Sequence, residues 1–321
     1  MVHEFDLDFQ REIAPNTVIS VSYLGSLGGN LPRFVDINLN SPASTVTYTV
    51  SGGSQSGQTL TVPLFKGPRP NLGFNSITDI SNSVTSKYNA LVVALNRRFY
   101  QGFQIQTSFT YSHANDAGQS SQTFTASNNV LNPFDLTQEQ GRSNFDIRER
   151  FNVGAVWTPD LYKGSRLILK ELINGFTISP LIAISAGAPY TAMLQGNAPG
   201  GVSSGILGAG GTNRLAGIPP NAFQMPRTAN VDLRLEKSFR LTERRAFTLT
   251  ADAFNALNHT NFTAVDNQIY TICAANAKCS ATGLTPTVNQ LVFNNHFGVP
   301  TSSSNSLLAQ RQIQIGARLD F

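Results

Sequence analysis

Few side chains in this chain are spaced for covalent chemistry. Ser185 lies in AISAG (Ala183–Gly187), a small-residue variant of the serine nucleophile elbow, which requires a strand-to-helix turn with acid and histidine partners. The residues that follow read as a strand leaving a sheet, and the four histidines are too scattered to suggest a triad. Asp6 and Asp8 have the spacing of paired carboxylates, but lining a polar surface suits them better than acid/base work. The run GGVSSGILGAGG, Gly200–Gly211, lacks both GxGxxG and the lysine of a phosphate loop, so it reads as a flexible connection. No catalytic residue, cofactor site or metal site is therefore expected, and the chain reads as a non-enzyme. Cys273 and Cys279, the only cysteines, are separated by five residues in CAANAKC. In an oxidising compartment they can close a small disulfide loop, a reading preferred over free thiols. A metal site would need two more ligands, for which His259 and His296 are the nearest and a weak choice.

Composition narrows the class. Only 13% of the 321 residues are charged, and the net charge is +4. The pairs Arg97–Arg98 and Arg244–Arg245 fall in short predicted turns and form no continuous stripe, so nucleic acid is excluded as a partner. No apolar segment approaches the roughly 20 residues of a membrane helix. The longest, Pro180–Ala188, is broken by Ser185 and Gly187. A membrane location would therefore require strands closed into a barrel. The first residues, MVHEFDLDFQ, carry no export signal, which on this reading lies upstream.

The elements that would hold any site are strands. In the last residues, Ile313, Ile315, Leu319 and Phe321 alternate with Gln312, Gln314, Arg318 and Asp320. Strict period-two alternation over about ten residues suits a strand crossing a thin apolar slab, with lipid on one side and a polar lumen on the other. Eight further segments repeat it: Phe5–Gln10, Ile19–Leu24, Ala90–Leu95, Phe103–Ser112, Phe151–Trp157, Phe176–Ala186, Val231–Phe239 and Phe247–Ala253. The expected fold is an all-β, antiparallel transmembrane outer-membrane barrel, partial, with about nine strands. The faces opposite the apolar sets carry Asp6, Asp8, Asp232, Arg234, Glu236 and Asp252, which a packed sandwich core would have to pair. Phe99, Tyr111, Trp157, Phe239, Phe247 and Phe321 fall near strand ends, as interfacial girdles require.

Connection lengths alternate as well. Short ones near Arg11–Asn16, Arg97–Gly102 and Arg240–Arg245 alternate with long ones at Ser26–Ser86, Ser112–Asn144, Pro189–Ala229 and Ala256–Leu308. Thr158–Gly175 breaks the short series, and LILKELI within it is expected to make a helical turn. Tight periplasmic turns and long external loops are the barrel pattern. An odd strand count implies an incomplete barrel, and Pro180 implies a bulge.

Four stretches carry a family resemblance. VSYLGSLGGNLPRFVDIN (Val21–Asn38) and TLTADAFNALNHTNF (Thr248–Phe262) resemble TonB-dependent receptors of the Oar-like type, which carry a carboxypeptidase-regulatory-like domain. ISAGAPYT and the closing RQIQIGARLDF agree with it. The resemblance implies a plugged barrel of roughly 22 strands, of which residues 1–321 form the C-terminal portion. Plug, energy-coupling box and signal peptide would then lie outside this sequence. It also implies ligand uptake across the bacterial outer membrane, driven by the TonB energy-transducing complex through the N-terminal part. The implied partners are outer-membrane lipid, an unidentified ligand, and the barrel assembly machinery, which reads the terminal strand with Ile313, Ile315, Leu319 and Phe321. A passive porin-like or adhesin barrel is the alternative.

Overall fold

A computed structural model describes residues 1–118, 130–242, 244–303 and 310–321. Nine strands form one continuous antiparallel wall: β1 (Val2–Ala14), β2 (Thr17–Asp36), β3 (Thr78–Tyr100), β4 (Phe103–Asp116), β5 (Glu149–Trp157), β6 (Phe176–Ser185), β7 (Thr228–Arg240), β8 (Ala246–Phe254) and β9 (Gln312–Asp320). Each pairs with its neighbours in chain order, and among the described residues no pairing joins β1 to β9, so the wall is an open arc.

The registers bring the apolar parities of all nine strands onto one face. Phe9 pairs with Val21, Val21 with Val93, Val93 with Phe109, Phe109 with Phe151, and Phe151 with Ile184. Nearer the short turns a second row runs through Phe103, Trp157, Ile178, Leu235, Ala251 and Ile315. The other face is polar: Ser20, Ala94, Ser108, Asn152 and Ala183 form one row, and Ser179, Arg234, Asp252 and Gln314 another. Arg234 meets Asp252 in a two-bond pair of 2.6 and 3.0 Å, so that face holds its charges against each other. The side chains of the apolar face are largely exposed, because none of the described residues covers them.

The strands outrun the sequence pattern. β2 has 20 residues and β3 has 23, and both continue past the alternating cores into what were expected to be loops. The bulge expected at Pro180 is absent. Leu233 faces Pro180 in regular register, and toward β5 the ladder skips from Gly154–Leu181 to Trp157–Ile178 with its register unchanged. The missing proline N–H is thus accommodated by a gap rather than an inserted residue.

The long connections are also not structureless. Met193–Gln195, Gln268–Cys273, Gln290–Phe293, Ser44–Ser51 and Thr59–Leu64 form a five-stranded sheet over the end of the wall opposite the short turns. Tyr48, Phe65, Leu131, Ile206, Leu207 and Leu291 are fully buried in its core. Cys273 and Cys279 are joined in this cap, with their Cα atoms 5.0 Å apart. That bond withdraws both from any metal set with His259 or His296. Parts of the expected loops Ser112–Asn144, Ala256–Leu308 and Arg240–Arg245 lie outside the described residues. LILKELI forms one helix, α1 (Leu167–Ile173).

Two neighbouring residues of β3 test the facing. Val93 is paired with Val21 and Phe109 on the apolar face, and Ala94 with Ser20 and Ser108 on the polar one. Val93→Arg should lose about 2–4 kcal/mol of folding free energy in lipid, and Ala94→Arg much less. Urea titration of vesicle-folded protein reads both, and equal losses would contradict the facing.

Candidate functional site

The site is where the wall strands leave the apolar belt and meet the cap. Strand ladders end there, and side chains must satisfy the freed backbone groups. At the exit of β2, buried Asp36 accepts from the Asn38 and Ile77 amides at 2.9 and 3.1 Å and pairs with Arg69 at 2.7 Å. Asn38 in turn donates to the carbonyls of Asn71 and Phe74. At the exit of β8, buried Asn255 donates to the His259 carbonyl and accepts from the His259 amide. Asn261 grips both the amide and the carbonyl of Ala229 at 2.7 and 3.0 Å. Gly187, in ISAGAPYT, lies so close to another strand exit that a Cβ there would overlap the Met225 carbonyl oxygen.

Between β4 and β5 a polar cluster is built on one carboxylate. Asp146 is 1% exposed and accepts from the Ala114 amide at 2.7 Å, Arg142 Nε at 2.7 Å and Arg148 Nε at 2.9 Å. His113 Nδ1 lies 3.2 Å from the same carboxylate. Burial pushes the Asp146 pKa up, but the Ala114 amide, the two guanidiniums and His113 outweigh it and hold the carboxyl below the usual range. The hydrogen bond to Asp146 also keeps Arg148 more firmly charged.

His113, Arg142 and Arg148 line a cavity of about 730 Å³ together with Lys87, Asn115, Asp116, Leu27 and Pro220. Arg148 also borders a second cleft of about 450 Å³, with Tyr111, Glu149, Gln224 and Arg227. The roof over this region is fixed by a buried ion pair of 2.7 Å between Arg214 and Glu139, which joins two external connections. Fixed cations, amides and an imidazole around open space can bind and orient a polar ligand. Among the described residues they include no nucleophile set against a base.

The residues singled out in the sequence lie elsewhere. The Ser185 hydroxyl shares a 2.7 Å hydrogen bond with that of Thr228. Asp8 accepts from Ser22 and Gln10 on the polar side of β1. Phe321 ends the chain, strongly exposed, at the short-turn end of the wall. The Asp146 cluster was missed, although GRSNFDIRER (Gly141–Arg150) is conspicuously charged in a charge-poor sequence.

A family model described as "outer membrane beta barrel domain" matches residues 1–314. The chain belongs to that family. The apolar face of the wall is thus its lipid face, and the bacterial outer membrane is its location. In this outer-membrane barrel domain the short turns are periplasmic and the cap is external. No curated protein matches the chain. The solved structures to which it is similar include the following three. Pseudomonas (P. aeruginosa) FpvA, solved with an iron-bound heterologous pyoverdine, has a TM-score of 0.48 and 9% identity over 100% of this chain and 27% of that one. The Escherichia coli outer membrane transporter YddB has a TM-score of 0.41 and 11% identity over 81% of this chain and 29% of that one. The E. coli K12 ferric-catecholate import receptor Fiu has a TM-score of 0.28 and 14% identity over 79% and 35%. The domain therefore spans about a third of their length or less.

Asp146→Asn should free Arg142 and Arg148 from their shared anchor at a local cost of about 2 kcal/mol, the partly exposed guanidiniums softening the loss. Exchange of the Ala114 amide hydrogen should then accelerate about thirtyfold. Because the folded pKa of Asp146 is depressed, its contribution holds above about pH 4 and is lost as pH falls through the folded value. Wild-type protection of Ala114 should therefore weaken only in that acid range, and the Asn variant should lack this acid limb.

Proposed function

We propose that this domain is the C-terminal part of the barrel of a TonB-dependent receptor, and that wall and cap together hold part of an external ligand site. The observation that carries the reading is the folded cap. Its connections from four places in the chain share one core and a disulfide over the end of the wall. A passive pore gains nothing from a rigid, cored cover over its mouth, whereas a receptor needs fixed polar groups there. Uptake would then be driven from the periplasmic side by the TonB complex, acting on a part of the protein beyond these residues. The terminal strand would be the segment presented to the barrel assembly machinery.

Proteoliposomes separate this reading from a porin-like one. Vesicles containing the folded protein should not swell in small sugars, and planar bilayers should show no uniform, stable conductance. Rapid swelling or a single regular conductance level would establish a passive pore instead.

A further inference from the structure

The periplasmic end of the wall carries a feature that a ligand receptor does not require. Helix α1 (Leu167–Ile173) lies in the connection between β5 and β6, and no residue of it is buried. Leu167 is 78% exposed, Ile168 77% and Leu172 58%, which places three large apolar side chains together without a cover. The helix is nevertheless fixed in place. Lys237 donates to the carbonyl of Glu171 at 2.6 Å and to that of Asn174, which satisfies carbonyls at the helix C-terminus. The Glu171 carboxylate accepts from the Arg240 amide at 3.1 Å. Asn174 accepts from the amides of Leu161 and Tyr162, holding the preceding loop.

The register of Lys237 shows which side of the wall the helix occupies. Lys237 pairs with Phe176 on β6 and Leu249 on β8, so its side chain belongs to the lipid-facing parity. Its ammonium lies 4.4 Å from the ring centre of Phe176 and 4.9 Å from that of Phe239, both in the periplasmic aromatic girdle. Arg11 and Arg97 also fall on the lipid-facing parity close to short turns, and Arg97 lies over the Phe103 ring at 5.6 Å. Cations on that parity at this end mark headgroup depth, where they can reach water and phosphate while their stems stay in hydrocarbon.

We infer that α1 is an interfacial anchor, lying in the periplasmic leaflet with Leu167, Ile168 and Leu172 inserted at the headgroup–acyl boundary and Lys163, Arg166 and Lys170 on anionic phospholipid headgroups. The occupant is lipid because the exposed patch continues the established lipid face and begins at its girdle. The flanking charges are mainly basic, with Asp160 and Glu171 already engaged by Asn174 and Arg240. A short amphipathic helix with apolar residues on one side and Lys or Arg beside them sits about 5–10 Å into that boundary. Anchoring the one long periplasmic connection there would keep it off the mouth of the wall.

Ile168→Trp in a Trp157→Phe background makes the helix carry the sole indole. Ile168 touches solvent on most of its surface, so this change leaves the fold intact. The protein is folded into vesicles of phosphatidylethanolamine with phosphatidylglycerol, brominated near the headgroup or near the chain ends. Emission should be blue-shifted, and the shallow bromines should quench about twice as strongly as the deep ones. Leaving out phosphatidylglycerol should weaken the quenching, and unchanged quenching would overturn the anionic-headgroup part. Water-like emission with no quenching by either lipid would overturn the anchor. A blue shift that grows with protein concentration but ignores brominated lipid would overturn it too, in favour of a second copy covering the helix.

Discussion

Hydrocarbon offers no partner to a peptide group, so each N–H and C=O within the membrane must be paired along the sheet. That requirement orders the whole structure. It forces the nine strands into one antiparallel ladder, and the ladder fixes a register in which every apolar parity meets another. A slip of one residue in any strand would turn its apolar set into the polar face and its polar set into lipid. The same requirement bears on the edges. β1 and β9 run in the same direction at the two ends of an odd set, and each has one row of unpaired groups. On the proposed reading, further strands of the barrel pair those rows.

Wall and cap solve different problems. The wall has no core, since lipid covers one face and water the other, and its charges stay cheap because Arg234 pairs with Asp252 beside water. The cap is in water on its outer side and must bury its own apolar residues, as Tyr48, Phe65 and Leu291 show. It does so with short strands, several drawn from different connections. Its stability therefore depends on contacts distant in sequence, reinforced by the Arg214–Glu139 pair and the disulfide.

This division explains what the sequence revealed. The wall was legible because the slab imposes period-two alternation over a fixed length, and Ile313 to Phe321 show it without a break. Strand ends were not, since β2 and β3 continue above the slab where no lipid face demands an apolar parity. The cap was illegible for a related reason. Strands of three to eight residues, buried by partners as remote as Thr49 and Gln290, leave no local period to read. Pro180 misled because a missing donor can be met by a local gap in pairing as well as by a bulge. The Asp146 cluster was hidden in spacing: two arginines and a histidine converge only once β4 lies beside β5.

The stretches that carry the family resemblance have a physical task of their own. VDIN and NALNHTNF lie where the ladder stops, and their Asp36, Asn38, Asn255 and Asn261 replace strand partners with side-chain oxygens and amides. Asn255 and Asn258 also take positive φ angles of 46° and 52°, which asparagine tolerates better than most residues. These motifs encode how a strand leaves the membrane and enters a folded cap. They therefore identify the architecture and not a function. On the proposed reading, any discrimination among ligands resides in side chains that the ladder leaves free to vary.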